Sequence, residues 1–513
     1  MLSSPWLPVL ILALVLTNTR RTLAVHERTY HSSPLAIQPL TILSRSPSYD
    51  PCNLNRTLFL VCPVGTAVAQ PSPAIYDASG ELVWADPRLG PCTDLNVETV
   101  DGRRVLTFWA GNPLAQESGQ PVILNDRYQW VRNVSAVGPG GTDTHEFRIV
   151  EPEGKSALLT SYNPVPADLS SIGGPQDGWY INCIVQEVDI ASGRVLFNWT
   201  SIDHIPFTEA YNTIGQGGAG TRDDPWDGAH INSIDKDADG NYLVSARHTW
   251  TVYKVDGRDG HVIWRLGGKN SSFSVVRNDH EPIFSWQHDV RWRGPKTISV
   301  FDDGAALIRG KTASTVLVNN TMATGKFIEF DEERKTMRVV KRFAPSPNPG
   351  PSLAEGSTER YGPHVVVGYG WTPWLTVHDW RTQEMLYAAV IGPNNASLWN
   401  GGITNYRVYQ TTLDEFVGRP TTKPAVALEK SGHGETAVYV SWNGATQVVE
   451  YAVLTGSDAK RVHKTVRVQR KTGFETMLAC HGCGKYIQVA ALGKDRKVLG
   501  ESGVYRTSDG RLV

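Results

Sequence analysis

Short segments in which apolar and polar residues alternate, separated by Asp and Gly, fill most of this chain. Within Trp226–Gly268, the alternating segment Tyr242–Arg247 is followed by Tyr253–Trp264, which Asp256–Gly260 interrupts. Alternation with a period of two predicts β-strands, and the Asp- and Gly-containing interruptions predict tight turns between them. We therefore expect this segment to form four antiparallel strands, as one unit of a repetitive structure.

The same pattern recurs along the chain. An apolar residue precedes Asp, Gly follows within a few residues, and the next strand carries a large aromatic residue. The copies are Ile75–Trp84, Val188–Trp199, Val255–Trp264, Phe330–Phe343 and His378–Tyr387. Joined with a second strand–turn–strand pattern, they give four strands per unit at spacings of about 45 to 65 residues, which is typical of propeller blades. We expect an all-β fold with a six-bladed β-propeller over residues 25–420; seven blades is the alternative.

The pattern changes after Arg419–Pro420. Short strands with turn residues between them are predicted at Ala425–Leu428, Thr436–Trp442, Val448–Leu454, Lys464–Gln469, Thr476–Ala479 and Tyr486–Leu492. This number of strands indicates a small β-sandwich, fibronectin-like in strand count, over residues 421–513. We interpret it as an appended domain for stability or docking.

The N-terminal residues predict export. Pro5–Leu16 is apolar but too short to span a bilayer, and Thr22–Ala24 offers a cleavage site, so residues 1–24 are expected to be a signal peptide. An uncleaved anchor is the alternative, because Arg20 and Arg21 follow the apolar run. Six Asn-x-Ser/Thr acceptors also suit the secretory pathway. They are Asn55, Asn133, Asn198, Asn270, Asn319 and Asn395.

Cysteine content and charge narrow the compartment and the partners. Six cysteines suit an oxidising compartment, and we expect Cys480 and Cys483 to form a local disulfide, with a zinc or redox half-site as the alternative. The 50 basic and 51 acidic residues nearly cancel, and no basic run is present. Neither nucleic acid nor a membrane span beyond the N-terminal segment is therefore expected.

Three of the predicted units begin with a histidine: His145, His230 and His288. The innermost strand of a propeller blade lines the central channel, and alternate side chains on it face inward. Period two places Asn232 on the same face as His230, and Asp289 on the face opposite His288. We therefore predict that three imidazoles and one amide meet near the axis.

Arg247 and His248 follow in the same unit. Neighbouring residues on a strand point to opposite faces, so only one of the two is expected to face the channel. If Arg247 faces inward, it supplies a planar cation suited to sulfate or phosphate. If His248 faces inward, a metal site becomes conceivable.

Several sequence blocks resemble the signature blocks of the arylsulfotransferase family, in its secreted fungal-type branch. The resemblance is specific between His145 and Gly304 and extends loosely from about Asp50 to Leu454. The blocks are Asp143–Phe147, Gln186–Asp189, Pro225–Asp235, Ser245–His248, Ile263–Gly268, Gln287–Asp289, Val300–Gly304 and Tyr439–Ala445. Bacterial enzymes of this family are six-bladed propellers that move a sulfuryl group between phenols through a sulfohistidine, without a nucleotide sulfate donor.

The resemblance implies a role for each candidate residue. His288 would be the nucleophile, and His230, Asn232 and Arg247 would hold the sulfuryl oxygens. His145 would complete the cluster or move a proton. The substrates would be a small phenolic sulfate and a phenol, with no cofactor and no metal. The family also places a small hydroxyl-bearing residue in a later blade, which here would fall near Ser357 and Thr358.

Two other functions agree with the same residues. One is a non-catalytic secreted propeller that binds an anionic or sugar ligand in its channel. The other is a metal-dependent hydrolase that uses His145, His230 and His288 as ligands. Loss of activity on chelation would indicate the hydrolase, and binding without turnover would indicate the non-catalytic protein.

Overall fold

The computed structural model describes residues 27–49, 56–115, 119–276, 282–309, 314–318, 322–347, 352–395, 397, 401–430 and 435–513, with backbone only for 305–309 and 314–318. Strands dominate these residues, and the α-helix among them is the single turn α1 (Ser201–His204). The all-β class is therefore confirmed. The predicted signal peptide, Cys52, Asn55 and Asn319 lie outside the described residues.

Of the first fifteen strands, β4 and β6 to β15 belong to three sheets. Strands β1 to β7 are Arg28–Thr29, Ala36–Ile37, Leu40–Arg45, Thr57–Val61, Pro63–Val64, Ala74–Asp77 and Leu82–Ala85. Sheet 1 contains β4, β6 and β7. Sheet 2 contains β8 to β11, at Cys92–Val100, Arg103–Ala110, Gln120–Leu124 and Trp130–Asn133. Sheet 3 contains β12 to β15, at Phe147–Ile149, Ser156–Ala167, Gly178–Asp189 and Val195–Thr200.

Three further sheets follow. Sheet 4 contains β16 to β19, at Ile231–Lys236, Tyr242–Ala246, Thr251–Val255 and Val262–Gly267. Strands β20 to β26 are Ser274–Val275, His288–Gly294, Thr297–Asp302, Ala305–Arg309, Ser314–Val318, Thr324–Asp331 and Thr336–Phe343, and all but the β23–β24 hairpin belong to sheet 5. Sheet 6 contains β27 to β30, at Ser357–Tyr361, His364–Gly368, Trp374–Asp379 and Met385–Ile391. Strands β31 (Thr404–Asn405) and β32 (Tyr409–Thr412) come next.

Strands from both ends of the chain close these sheets into a ring. β32 pairs with β4 in sheet 1, and β3 pairs with β30 in sheet 6. A cluster of buried apolar side chains fills each space between neighbouring sheets, including the space between sheets 6 and 1. Each fully buried Leu, Val or Phe in such a cluster contributes about 1.5–3 kcal/mol. The ring supports the propeller interpretation, and its first ring strand, β3, lies within the expected range of residues 25–420.

The centre of the ring is marked by Arg407, which is fully buried. Its guanidinium reaches carboxylates or backbone carbonyls from four different sheets or from the residues just before them. These partners are Asp94, His145, Glu146, Asn232 and Asp289. One side chain can contact so many sheets only where their first strands converge. Residues near Arg407 therefore line the axis.

The C-terminal residues form two sheets that share one apolar core. One sheet contains β33, β34 and β37, and the other contains β35, β36 and β38 to β40. In chain order these are Ala425–Lys430, Glu435–Ser441, Glu450–Gly456, Lys464–Arg470, Glu475–His481, Tyr486–Leu492, Val498–Glu501 and Tyr505–Arg506. All six predicted strands are present. The N-terminal segment is tied to this region, since Ser32 donates from its backbone and its hydroxyl to Glu475.

Disulfides and surface positions agree with the expected compartment. Cys480 and Cys483 are bonded, as predicted, and a second disulfide joins Cys62 to Cys92, between sheets 1 and 2. Cys183 is a buried free thiol. The described glycosylation acceptors are all exposed: Asn133, Asn198, Asn270 and Asn395. Among the described residues, no helix has the length and apolar character needed to cross a bilayer.

Candidate active site

His145 and His230 lie side by side at the ring axis, each just before the first strand of its sheet. Their ring centroids are 4.7 Å apart. Nδ1 of His145 lies 2.5 Å from Oδ1 of Asp143, and Nδ1 of His230 lies 2.5 Å from Oδ2 of Asp227. A carboxylate at Nδ1 holds the ring proton there and leaves a lone pair on Nε2. Each imidazole can therefore offer Nε2 to a ligand.

His288 begins β21 and is more deeply buried, with its side chain 2% exposed. Nδ1 lies 2.9 Å from Oδ2 of Asp303, and Nε2 accepts a hydrogen bond from the backbone N–H of Glu355 at 3.2 Å. Because Nε2 faces a donor, its lone pair must point at that N–H, and the ring proton must be on Nδ1. Asp303 lies beside Nδ1, but without the hydrogen-bond geometry that the carboxylates at His145 and His230 have.

Three imidazoles of this cluster, those of His230, His248 and His288, are neutral near pH 7. Burial lowers the pKa of His230 and of His288 well below the ordinary value, and the positive charge of Arg247 adds to both effects. Burial also lowers the pKa of His248 to about 3. A neutral imidazole keeps the nitrogen lone pair that a nucleophile or a hydrogen-bond acceptor needs.

Arg247 and His248 both face this cluster, so the expectation that only one of them could is wrong. β17 ends at Ala246, and the backbone then turns, with Arg247 N–H donating to the carbonyl of His230 and His248 N–H to that of Ala229. Alternation applies only within a strand. Nη1 of Arg247 lies 3.1 Å from Nε2 of His248, whose ring centroid is 4.5 Å from that of His230.

Arg247 is buried but incompletely paired. Nη2 donates to the carbonyl of Leu353 at 2.9 Å, while the nearest carboxylate oxygen, on Asp303, is 3.9 Å from Nε. Nε itself has no hydrogen-bond partner in the described part of the chain. The guanidinium lies over the ring of Trp286, 5.5 Å from its centroid. Such a partly satisfied guanidinium can bind an oxyanion.

Asn232 lies between sheets 4 and 5. His230 has a left-handed backbone conformation (φ +55°), and the β16–β17 register is irregular between Ile231 and Ser233, so period two does not relate these residues. Nδ2 of Asn232 donates to the carbonyl of Gln287 at 2.6 Å. The amide nitrogen of Asn232 therefore positions Gln287, the residue before His288, and is not free to bind a ligand in this geometry.

The carboxylates beside the three histidines were not identified from the sequence. Asp143, Asp227 and Asp303 all fall in blocks that the resemblance covers, and the first two precede their histidines by two and three residues. That spacing places Asp next to the ring when the chain turns before a strand. This spacing between Asp and His is the feature of the sequence from which the His–carboxylate pairs could have been predicted.

No sequence pattern indicated Tyr406 as a site residue. It lies in the segment that closes the ring, far along the chain from the histidines. Its ring centroid is 5.9 Å from that of His145 and 6.2 Å from that of His288. Its hydroxyl is buried and has no hydrogen-bond partner among the described residues. Ser357 and Thr358 do not supply the expected hydroxyl in this conformation, since theirs donate to backbone carbonyls of Val408 and Val300.

The structure groups a set of possible metal ligands that differs from the set of His145, His230 and His288. Asp227, His230 and His248 have ligand atoms within 4.8 Å of one another. However, Nε2 of His248 faces Arg247, and its Nδ1 lies 2.8 Å from the carbonyl of Asp227. Both ring nitrogens of His248 therefore already have protein partners. A cation there would have to replace at least one of them.

The fold and this site define a class: an all-β ring protein with a buried polar centre that contains an arginine and neutral imidazoles. Residues 96–388 match the family model described as Arylsulfotransferase (ASST). Because the match covers more than half of the chain, the protein belongs to the arylsulfotransferase family. All five candidate residues from His145 to His288 lie inside the match, whereas the Tyr439–Ala445 block lies outside it. The fungal-type branch stays a prediction.

Solved structures give weaker similarities. A Bacteroides caccae protein of unknown function is 14% identical, with a TM-score of 0.40, covering 69% of this chain and 98% of its own. The Malassezia sympodialis allergen Mala s 1 is 12% identical, with a TM-score of 0.29 and coverages of 65% and 83%. A putative 6-phosphogluconolactonase from Bacteroides fragilis is 10% identical, with a TM-score of 0.34 and coverages of 71% and 100%. With TM-scores below 0.5, they carry no argument about this chain. No curated protein matches the sequence.

Proposed function

We propose that this protein is a secreted sulfotransferase that moves a sulfuryl group from an aryl sulfate to a phenolic acceptor through a sulfohistidine on His288. Membership in the arylsulfotransferase family supports the reaction class. The observation that carries the proposal is the position of the neutral, buried imidazole of His288 beside Arg247, a guanidinium with donor capacity left over. This combination suits attack on an anionic sulfuryl group.

The first half-reaction transfers the group to the protein. Nε2 of His288 attacks the sulfur, so that an N–S bond forms while the bond from sulfur to the phenolic oxygen breaks. The imidazole becomes cationic, and its Nδ1 lies 2.9 Å from the carboxyl of Asp303. In the second half-reaction, the oxygen of the acceptor phenol attacks sulfur, the N–S bond breaks and neutral His288 is regenerated. The proton that the acceptor phenol loses balances the proton taken up by the phenolate released in the first half-reaction.

The surrounding donors stabilise the transferred group. Sulfuryl transfer spreads charge over three oxygens, so several fixed donors lower the barrier more than one base does. We assign Arg247 to these oxygens, with His145 and His230 next to it at the axis. Asn232 holds the chain before His288 in register through its bond to the carbonyl of Gln287. No metal takes part in this scheme.

When the aryl sulfate binds, it must replace two hydrogen bonds that are present in this structure. Nε2 of His288 is occupied by the N–H of Glu355, and Nη2 of Arg247 by the carbonyl of Leu353. Both partners belong to one short segment. A sulfuryl group can take over each of them, since its oxygens accept from the same donors while its sulfur meets Nε2.

The proposed location is extracellular or within the secretory pathway. The predicted signal peptide, the two disulfides and the four exposed glycosylation acceptors support it together. The substrates are small molecules, in agreement with the family.

Turnover with an aryl sulfate donor and a phenol acceptor tests the proposal. The secreted protein should transfer sulfate with or without a chelator, and His288→Ala should lose the activity. His378→Gln is the matched control, because His378 is also a buried histidine but bonds to Thr376 in sheet 6. If the wild-type protein transfers nothing to a range of phenols, or if His288→Ala is as active as His378→Gln, the proposal is wrong.

A second candidate function is metal-dependent hydrolysis, which the grouping of Asp227, His230 and His248 favours. It predicts that a chelator abolishes activity and that added zinc restores it. It also predicts that His248→Gln is inactive while His288→Ala keeps activity. These results are opposite to those expected for the transferase, so the same assays separate the two functions.

A further inference from the structure

Residues 352–356 lie directly against the two central groups of the site. The carbonyl of Leu353 accepts from Arg247, and the N–H of Glu355 donates to Nε2 of His288 at 3.2 Å. Glu355 has a φ of +70°, a conformation that L residues other than Gly, Asn and Asp rarely adopt. Strained backbone of this kind concentrates at functional sites. The strain here aims the backbone N–H of Glu355 at the imidazole.

Two hydrogen bonds anchor the ends of this segment, on either side of the two contacts that the donor replaces. The hydroxyl of Ser352 donates to the carbonyl of Tyr369 at 2.7 Å, and the N–H of Gly356 donates to the carbonyl of Tyr406 at 2.8 Å. A Cβ on Gly356 would come within 2.3 Å of the ring of Phe301, so the backbone packs there without space for a side chain. The position of Glu355 between these anchors is therefore well defined.

The carboxyl of Glu355 is buried without a matching charge. The residue is 7% exposed, one side-chain contact is a hydrogen bond from Trp371, and Oε2 has no hydrogen-bond partner in the described part of the chain. Its charged neighbours are Asp94, Arg247 and Asp303, and Arg247, the cation among them, forms no ion pair with it. Burial raises its pKa to about 8. An unpaired buried carboxyl weakens the fold, so its presence at a site indicates a function.

We infer that Glu355 is the proton-transfer residue of the reaction, an inference that rests on the proposed function. In the first half-reaction, protonated Glu355 gives its proton to the leaving phenolic oxygen as the S–O bond breaks, and the free phenol departs. In the second, the Glu355 carboxylate takes the proton of the acceptor phenol as that oxygen attacks sulfur. Each cycle thus returns Glu355 to its protonated form and His288 to its neutral form.

The other groups of the site fit this role less well. His230 and His288 have pKa values far below neutral, so they carry no proton to give at pH 7. Burial raises the pKa of Asp303 strongly, but Asp303 faces Nδ1 of His288, the nitrogen opposite the one that reacts. Glu355 is attached to the N–H that contacts the reacting nitrogen. Its backbone therefore lies on the reacting side of the imidazole, and its carboxyl carries a proton at neutral pH.

The test compares two donors in Glu355→Gln. Phenyl sulfate has a poor leaving group that needs a proton, whereas 4-nitrophenyl sulfate has a good one that does not. We expect kcat/KM to fall by about 10²-fold or more with phenyl sulfate and by less than about tenfold with 4-nitrophenyl sulfate. Glu98→Gln is the control, because Glu98 is also a buried glutamate with a raised pKa but lies between sheets 2 and 3.

The pH dependence gives a second readout that a structural role would not change. Because Glu355 must start protonated, kcat/KM of the wild-type protein for phenyl sulfate should fall above about pH 8. That decline should be missing in Glu355→Gln. Infrared difference spectra should also show a protonated carboxyl band that disappears as the pH passes about 8, and that Glu355→Gln lacks even if the variant is inactive.

The outcomes separate this inference from the proposed function. If the wild-type protein transfers sulfate but Glu355→Gln slows both donors equally, or slows neither, Glu355 is not the proton-transfer residue and the transferase proposal stands. If the band is absent from the wild-type spectra, the inference is equally wrong. A wild-type protein without transfer to any phenol overturns both.

Discussion

Two buried polar clusters share the axis of the ring, and they are built in opposite ways. The ion cluster pairs two arginines with three carboxylates; it contains Asp94, Glu146, Asp289, Arg291 and Arg407. The histidine site contains His145, His230, Arg247, His248, His288, Asp303, Glu355 and Tyr406. Arg291 lies 2.7 Å from Glu146 and 2.9 Å from Asp289, whereas Arg247 lies no closer than 3.9 Å to a carboxylate oxygen of the described residues.

The pKa values of Glu146 in the ion cluster and of Asp303 and Glu355 in the histidine site differ in the same way. Burial alone would raise the pKa of Glu146, but Arg291 and Arg407 outweigh burial and hold it below its ordinary value. Burial raises the pKa of Asp303 and of Glu355, and the opposing charge of Arg247 does not outweigh it. Asp94 is the exception in the ion cluster, because burial raises its pKa even though Arg407 lies 3.1 Å away. The ion cluster as a whole joins the sheets. The histidine site keeps unsatisfied groups, which a ligand can use.

Breaking the ion cluster should have the largest effect on stability. Arg291→Met leaves Glu146 and Asp289 without a main partner, so we expect the free energy of unfolding to fall by about 3–5 kcal/mol. Chemical denaturation measures it. Arg338→Met is the control: Arg338 pairs with Glu329 on the surface of the same sheet, and its loss should change stability by less than about 1 kcal/mol. Equal stability of the two variants would contradict the contrast.

Changing the arginine of the histidine site should instead affect catalysis. Arg247→Lys keeps a charge but loses the planar guanidinium, so we expect kcat/KM to fall about 10²- to 10³-fold. The free energy of unfolding should change by less than about 1 kcal/mol, since no carboxylate oxygen of the described residues lies closer to Arg247 than 3.9 Å. Arg265→Lys, at a half-buried pair with Glu209, should keep full activity. A stability loss in Arg247→Lys as large as that of Arg291→Met would refute this distinction.

The histidine site should also make the protein sensitive to acid. Burial lowers the pKa of His248 to about 3 in the folded protein. Below about pH 6.5, the unfolded chain therefore binds a proton at this residue while the folded protein does not. Stability is full above that pH and falls as the pH drops, by about 1.4 kcal/mol per pH unit for each such group. Between pH 7 and pH 5, the free energy of unfolding of His248→Gln should therefore fall by about 2 kcal/mol less than that of the wild-type protein. His261→Gln, at an exposed histidine, should change nothing.

The carboxylate beside His145 should have the smallest effect. Asp143→Asn removes one charge-assisted hydrogen bond to a residue that contacts the transferred group, so we expect kcat/KM to fall by about tenfold. Asp259→Asn is the matched control, because Asp259 bonds to His261 at the same spacing but on the surface. Steady-state kinetics with one donor distinguish the two. If both variants behave alike, the pair at His145 has no role in transfer.

Local signals allowed most of the fold to be predicted. The Val255–Trp264 pattern corresponds to strands β18 and β19, because Asp256 and Gly260 determine the turn within a few residues. The six C-terminal strands were found for the same reason. Closure of the ring by β3 and β32 could not be predicted in this way, since their pairing depends on contacts across most of the chain.

The site was predictable only in part, for similar reasons. The phase of His145, His230 and His288 in the repeats indicated that they meet at the axis. Backbone departures from strand geometry, such as the φ of +55° at His230 and the turn after Ala246, ended the alternation on which finer predictions relied. Glu355 and Tyr406 enter from distant segments with no motif to mark them, so only the folded chain reveals their proximity.

Trapping the covalent intermediate tests the central claim most directly. The wild-type protein would be mixed with an aryl sulfate without acceptor, quenched at a pH that preserves the N–S bond, and examined by intact-mass and peptide mass spectrometry. The account predicts a mass increase of one sulfuryl group located on His288, which disappears when a phenol is added and is absent in His288→Ala. No adduct in a protein that turns over, or an adduct on another residue such as His230, would contradict it.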